Sequence, residues 1–253
     1  MGTELIYGLH AVTAALRHHP QQVQSLWLAG QNSRLRAVAD MAVERGIDVQ
    51  NVPRQELDRL SHQARHQGVV AQLNVIDSSR SEADLPQLLA ECQPAPLLLV
   101  LDGIQDPHNL GACLRTAEAA GVNAVIVPAD RAVGLTATVR KVAAGAAETV
   151  PLITVTNLAR ALRRLQETGV WLVGAVGEAP TSLYNTDLNG PLAVVLGAED
   201  KGLRRLTREH CDQLVRIPMA GEVASLNVSV ATGVVLFEAV RQRMLAGQHK
   251  KPL

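Results

Sequence analysis

Hydrophobic positions change their spacing several times along the chain, and each change marks an element. In residues 7–18 (YGLHAVTAALRH), Leu9, Val12, Ala15 and Leu16 recur at helical spacing, which predicts a helix. Residues 23–29 (VQSLWLA) read as a strand. Residues 35–44 are helical again and stop at Gly46, a residue suited to the left-handed position after a helix. A strand at 47–52, a short helix at 54–60 (RQELDRL) and a strand at 69–76 (VVAQLNVI) complete a small α/β unit. Polar, turn-rich residues 77–84 (DSSRSEAD) follow, then a short helix at 85–92 and the breaker QPAP at 93–96, which together mark a linker.

From residue 96 onward the pattern is strand, loop and helix, repeated. Residues 97–101 (LLLVL) are a continuous apolar run, as expected of a strand buried on both faces of a parallel sheet. Helices are predicted at 109–120, 137–143, 158–167 and 204–209. Strands are predicted at 124–127, 152–155, 171–175, 192–196 and 214–217, with a long closing helix from about 226 to 245. The fold class is therefore α/β with a mostly parallel sheet. The expected organisation is a domain at 1–76, a linker at 77–95, a second domain at 96–247 and a frayed tail at 248–253.

Composition narrows the functions available. Only 2% of the 253 residues are aromatic and the formal net charge is +0, so neither a platform of stacked rings nor a global basic field announces nucleic acid. Any RNA contact must use local patches. Cys92, Cys113 and Cys211 lie far apart without a CxxC pair, which gives no zinc spacing and no disulfide framework and fits a reducing cytoplasm. The first ten residues lack a basic region followed by an apolar core, and the most apolar run is far too short to span a bilayer. A soluble cytoplasmic protein without a membrane partner is expected.

Ligands of a parallel α/β sheet bind beyond the carboxyl ends of its strands. Three glycine-bearing loops fall there: residues 101–115 (LDGIQDPHNLGACLR), 195–203 (VLGAEDKGL) and 217–237 (IPMAGEVASLNVSVATGVVLF). The last enters an apolar helix whose first turn carries Ser225, Asn227 and Ser229. Unpaired amides and the positive dipole end gather at such a point, so these groups either hold an anion or polar cosubstrate or simply cap the helix.

No GxGxxG follows a strand. Residues 197–202 space two glycines like a phosphate loop, but Leu203 and Arg204 stand where the lysine and hydroxyl residue belong, which excludes a Walker-type site. Asp102, Asp106 and His108 have no second cluster to complete a metal shell, so no metal is expected. Cys113 reads as a buried thiol rather than a nucleophile, and Ser225 lacks the GxSxG elbow. What remains is a set of hydrogen-bonding groups without a covalent player: Asn109, Arg115, Glu199, Ser225 and Asn227. Such a set suits group transfer by positioning, where the reactive group arrives with a cofactor.

These segments resemble the three signature motifs of the SpoU (TrmH-type) 2′-O-ribose RNA methyltransferases of the SPOUT superfamily. The first, DPxNxGxxxRxA, is matched by Asp106, Pro107, Asn109, Gly111, Arg115 and Ala117. The second, GxExxG, is matched by Gly197, Glu199 and Gly202, and the third by the stretch from Ile217 to Glu238. The resemblance implies a C-terminal trefoil knot, which sequence physics would not propose. It implies S-adenosylmethionine as cosubstrate, held by Gly197, Ile217 and Leu226 with Met219 and Ser225 beside them. It gives Arg115 the main catalytic part, as base or as phosphate ligand, from its own subunit or across a dimer interface. Asn109 and Asn227 would orient Arg115 or the ribose, and Glu199 would fix the motif loops or the arginine.

Residues 1–76 resemble the substrate-binding domain, similar to ribosomal protein L30e, of the bacterial subgroup that methylates a guanosine in large-subunit ribosomal RNA. This domain has seven arginines against six acids, and Arg34, Arg36, Arg54 and Arg65 are the candidate RNA contacts. Glu222 departs from the small polar residue common at its place. The expected enzyme is a homodimer, joined through the knot and the C-terminal helix, that methylates ribosomal RNA. A transfer-RNA guanosine as substrate, or a non-catalytic RNA-binding assembly factor, are the alternatives.

Overall fold

A computed structural model describes residues 2–75, 80–92, 95–199 and 201–248. Residue 76 at the end of the expected first domain, residues 77–79 of the expected linker, 93–94 of its breaker and the tail from 249 lie outside the described residues. In chain order the elements begin with β1 (Gly2–Tyr7), α1 (Leu9–His18), β2 (Val23–Leu28), α2 (Ser33–Val43), β3 (Asp48–Asn51), α3 (Arg54–Leu60) and β4 (Val69–Val75). Next come β5 (Arg80–Ser81), α4 (Leu85–Glu91), β6 (Leu97–Asp102), α5 (Pro107–Ala119), β7 (Ala124–Pro128) and α6 (Ala137–Ala143). The chain continues through β8 (Leu152–Val155), α7 (Leu158–Glu167), β9 (Trp171–Ala175), β10 (Thr181–Ser182) and β11 (Leu192–Gly197). It closes with α8 (Arg205–His210), β12 (Gln213–Arg216) and α9 (Val228–Gln248).

Two compact units result, one of residues 1–78 with 134–149 and one of 79–133 with 150–253. The first is built on a four-stranded sheet in the order β1-β4-β2-β3. Strand β1 was not foreseen. It pairs antiparallel with β4, Tyr7 opposite Val70, and Gly8 at φ 98 then breaks the chain, so the helix starts at Leu9 and not at Tyr7. Ile6, Val12, Leu16, Leu26, Leu35 and Val69 fill this core. Helix α6, assigned by sequence to the second domain, packs here on α1 and β1. A side chain at Gly145 would lie 2.8 Å from the Ala14 Cβ. Arg140 forms a buried ion pair with Glu148, whose carbonyl bonds His19 Nε2 at 2.8 Å.

The second unit is an eight-stranded sheet, order β10-β12-β9-β11-β6-β7-β8-β5, in which every pairing is parallel. All residues of β6 and β7 are buried, the consequence of covering both sheet faces. Strands β5 and β10 are two residues each, too short to leave a periodic signal. Helix α4 lies within the sequence-assigned linker, yet Leu85, Leu88 and Cys92 belong to this core. The chain steps from β6 through β7 to β8 and then crosses to β9 beyond β11. The strand order therefore reverses at β6 and β11, where an open α/β sheet binds its ligands.

Helix α9 packs on α5, with Cys113 Sγ 3.3 Å from Thr232 Oγ1. Its far end is pinned by Arg243, which donates to the carbonyls of Ala95 and Pro96 at 3.2 and 3.0 Å. Gln242 adds bonds to the Leu188 amide and the Thr186 carbonyl. Val230, Phe237 and Met244 remain exposed at seven-residue intervals along it.

Candidate active site

Strand β6 ends at buried Asp102, and α5 opens five residues later. Asp106 caps that helix by accepting the His108 amide at 3.0 Å, and Pro107 occupies the first helical position, where a missing N–H costs nothing. This start places Asn109, 9% exposed, on the buried side of the first turn.

In the neighbouring strand Gly197 pairs in register with Asp102. The chain then turns back on itself, and the Gly202 amide donates to the Ala198 carbonyl at 2.7 Å. A Cβ on Gly197 would stand 2.0 Å from the Gly202 carbonyl carbon and 2.3 Å from the Leu203 amide nitrogen. The close approach that demands glycine is thus to the protein's own backbone. The turn is fastened to β6 by Arg204, whose amide donates to Asp102 Oδ2 at 3.0 Å and whose guanidinium pairs with Oδ1.

Asn109, Glu199 and Asn227 meet at this point. Asn109 Nδ2 donates to Glu199 Oε1 at 3.2 Å, and Asn227 Nδ2 donates to Asn109 Oδ1 at 3.0 Å and also to Glu199 Oε1. The Val228 amide is a third donor to the same oxygen, at 3.4 Å. Glu199 Oε2 accepts no bond from the described residues.

Asn227 is also the cap of α9. Its Oδ1 accepts the Ser229 amide at 2.9 Å and the Ser229 hydroxyl at 2.5 Å. The cap fixes the side chain's rotation: with Oδ1 turned to the helix, Nδ2 must face Glu199 and Asn109. Helix α9 begins at Val228, so Ser225 lies before its first turn, contrary to the sequence reading, and does not cap it. The apolar spacing that runs on through Leu226 hid this boundary.

The structure does not bring the other two candidates into the cluster. Arg115 is exposed and has no partner among the described residues. Six residues beyond Asn109 on α5, it is turned about 240° from it. Ser225 is exposed and instead lines a cavity of about 360 Å³, within the range of small-molecule sites. The walls of that cavity include Gly177, Leu196, Gly197, Ile217, Met219 and Leu226, and Glu199 stands at its edge. All five residues expected to hold the cosubstrate therefore line one cavity. Backbone-rich, partly apolar walls with a few polar groups fit a nucleoside-bearing cosubstrate.

Sequence reasoning missed the charged rim. Arg208 pairs with Glu178 at 2.5 Å, and both line the cavity with Lys201. Backbone hydrogen bonding and then Arg208 hold the Glu178 carboxyl below the usual carboxylate range. No sequence signal links residues 178 and 208, which meet through strand order.

In the first unit Arg34 and Arg36 lie on α2, Arg54 opens α3 and Arg65 precedes β4. All four are exposed and have no ion-pair partner among the described residues. Leu28 of β2 is paired with both Asn51 and Val69, so the connections carrying Arg34, Arg54 and Arg65 leave one end of the sheet. Buried His66 stiffens the last of them: Nδ1 accepts the Gly68 amide at 3.0 Å, so Nε2 carries the proton given to Asp58 at 3.0 Å. Among the described residues no group of three or more His, Cys, Asp and Glu could hold a metal, and no helix is long and apolar enough to cross a membrane.

A glycine-walled cavity beside an Asn–Glu–Asn cluster at the switch point of a parallel sheet is an arrangement suited to group transfer. Residues 96–237 match the SpoU rRNA Methylase family, to which the chain belongs. Residues 5–76 match the family described as RNA 2′-O ribose methyltransferase substrate binding. The chain is 57% identical over 242 residues to the 23S rRNA (guanosine-2′-O-)-methyltransferase RlmB of Pseudomonas syringae pv. tomato, covering 95% of this chain and 96% of that protein. The crystal structure of the SpoU methyltransferase AviRb from Streptomyces viridochromogenes is similar at a TM-score of 0.80 and 25% identity, over 97% of this chain and 91% of that one. An AdoMet-bound rRNA methyltransferase from Sinorhizobium meliloti is similar at a TM-score of 0.76 and 26% identity, over 94% and 87%.

Proposed function

We propose that this protein transfers a methyl group from S-adenosylmethionine to the ribose 2′-OH of a guanosine in 23S ribosomal RNA. The observation that carries this reading is the Asn109–Glu199–Asn227 cluster at the edge of the cavity. The near-full-length identity to the Pseudomonas 23S enzyme favours ribosomal over transfer RNA.

When bound, S-adenosylmethionine supplies an electrophilic methyl group on a sulfonium. Gly197, Ile217 and Leu226 hold it through their backbone, with Met219 and Ser225 beside them. The site needs no metal for this chemistry. The ribose hydroxyl is a weak nucleophile at neutral pH, so it must be aligned and its proton shared while the C–O bond forms. Asn109 and Asn227 position the acceptor. Glu199, anchored through Oε1, keeps Oε2 free among the described residues as a hydrogen-bond acceptor. Arg115, always charged and turned away from its own Asn109, serves the partner subunit's site, where its guanidinium binds phosphate next to the reacting ribose. The homodimer this requires forms through the knot and the exposed Val230–Phe237–Met244 stripe of α9.

The same reading includes a trefoil knot in the C-terminal part of the catalytic domain (96–247). It also includes an L30e-like fold for residues 1–76 and RNA contacts by Arg34, Arg36, Arg54 and Arg65, in a cytoplasmic enzyme. The parallel sheet and the SpoU relationship support the knot, and the common end shared by three of the arginine connections supports the contact surface. The test is methyl transfer from radiolabelled S-adenosylmethionine into unmethylated 23S and transfer-RNA transcripts, with the product nucleoside identified. 2′-O-methylguanosine in 23S rRNA is expected. Label confined to transfer RNA, or to a base, contradicts the proposal.

A further inference from the structure

The cavity occupies the loops after β9, β11 and β12. Acceptor RNA reaching Glu199 and Asn109 must then lie over the other side of the switch point, above the loops that follow β6, β7 and β8. Among residues 103–106, 129–133 and 156–157 of those loops, Arg131 is the sole lysine or arginine. It is exposed and has no partner among the described residues. Its backbone sits at φ 59, a left-handed conformation that an arginine adopts only at a cost. Glycine would serve that turn better, so the charged side chain sits there against local strain, and such outliers cluster at functional positions.

The turn is also anchored. The Val133 amide donates to the Ile104 carbonyl at 3.0 Å and the Ala129 amide to the Val155 carbonyl at 2.8 Å. The Arg131 carbonyl would lie 3.8 Å from a Cβ on Gly103, in the loop that leads to Asn109. Arg131 is therefore held one strand spacing, about 5 Å, from the loop after β6. The geometry points to Arg131 as a substrate-binding residue that holds an RNA phosphate beside the target nucleotide, on the side away from the cosubstrate. The assignment rests on the RNA methyl-transfer reading above and adds a contact to it. A guanidinium on a fixed turn gives phosphate a bidentate, preorganised ligand.

The test compares wild type, R131A, R131K and R131G in binding an unmethylated 23S rRNA transcript at several KCl concentrations, in single-turnover methylation and in calorimetric binding of S-adenosylmethionine. R131A should weaken RNA binding roughly tenfold and reduce the salt slope by about 1, the signature of one lost phosphate contact. R131K should keep the slope. R131G should melt at or above the wild-type temperature, since strain is relieved, and still bind RNA as poorly as R131A. Cosubstrate affinity should stay unchanged throughout. An unchanged slope in R131A, recovery of RNA affinity in R131G, or a shift in cosubstrate affinity would each overturn the assignment. A wild type that neither binds nor methylates the transcript overturns the methyl-transfer reading itself, and the assignment with it.

Discussion

Replacing Asn227 by serine and by alanine separates the two jobs this side chain holds. Its Oδ1 caps α9, and its Nδ2 ties Glu199 to Asn109. Serine caps nearly as well as asparagine, so Asn227→Ser should unfold within about 0.5 kcal/mol of wild type, whereas alanine loses about 1 kcal/mol. For a chain of this length that is a fall of roughly 2–4 °C in Tm. Neither substitute can donate from the Nδ2 position. A hydrogen bond to a charged group contributes about 1.5–3 kcal/mol, and since both Asn227 and Glu199 are exposed, water recovers part of it. The remainder, expressed in positioning the acceptor, corresponds to a loss of about ten- to a hundredfold in kcat. Single-turnover transfer of labelled methyl with thermal melting of each variant reads both effects. Full kcat in Asn227→Ser would refute the positioning role, and an unchanged Tm in Asn227→Ala would refute the cap.

Further outcomes follow from other contacts. Gly197→Ala puts a Cβ into the Gly202 backbone, so the turn must open; calorimetry should show cosubstrate binding lost, and retained affinity would mean that the turn is not the cavity wall. Arg204→Ala leaves buried Asp102 with only the backbone amide of residue 204, and urea unfolding should register a loss of about 1–3 kcal/mol, against no shift in midpoint if the pair is idle. Burial pushes the Cys113 thiol up to about 11 and the Cys211 thiol up to about 12, so at pH 8 about one Cys113 in a thousand is thiolate. Iodoacetamide should label both rapidly only after denaturation, and rapid native labelling of Cys113 would contradict the burial. Phe237→Asp places a charge on the exposed α9 stripe proposed as the dimer face and should yield monomer where wild type gives dimer in light scattering; a dimer in both would move the interface elsewhere.

The elements of the second unit were largely legible because a strand buried on both faces has no polar positions to blur it, as in residues 97–101. Strand β1 was not, because its signal merged with the helical spacing that starts at Leu9. The start of α9 was misplaced because apolar spacing continues upstream of the cap, and only the hydrogen bonds to Ser229 fix it. The cluster's members were visible as motif residues, but their mutual bonds join positions 90 and 118 residues apart and follow from the register of β6 against β11. The packing of α6 with the first unit depends on the small residues Ala14 and Gly145, which carry no local signal. Arg131 was invisible for a simpler reason: nothing in the sequence marks a left-handed arginine.

The most direct measurement is a nucleotide-resolution map of 2′-O-methylation in ribosomal and transfer RNA from cells that lack this protein, repeated after complementation with wild type and with Asn227→Ser. The expected result is the loss of 2′-O-methylation at a guanosine in 23S rRNA, restored by wild type and not by the variant. An unchanged 23S map, or a site lost only from transfer RNA, would contradict it.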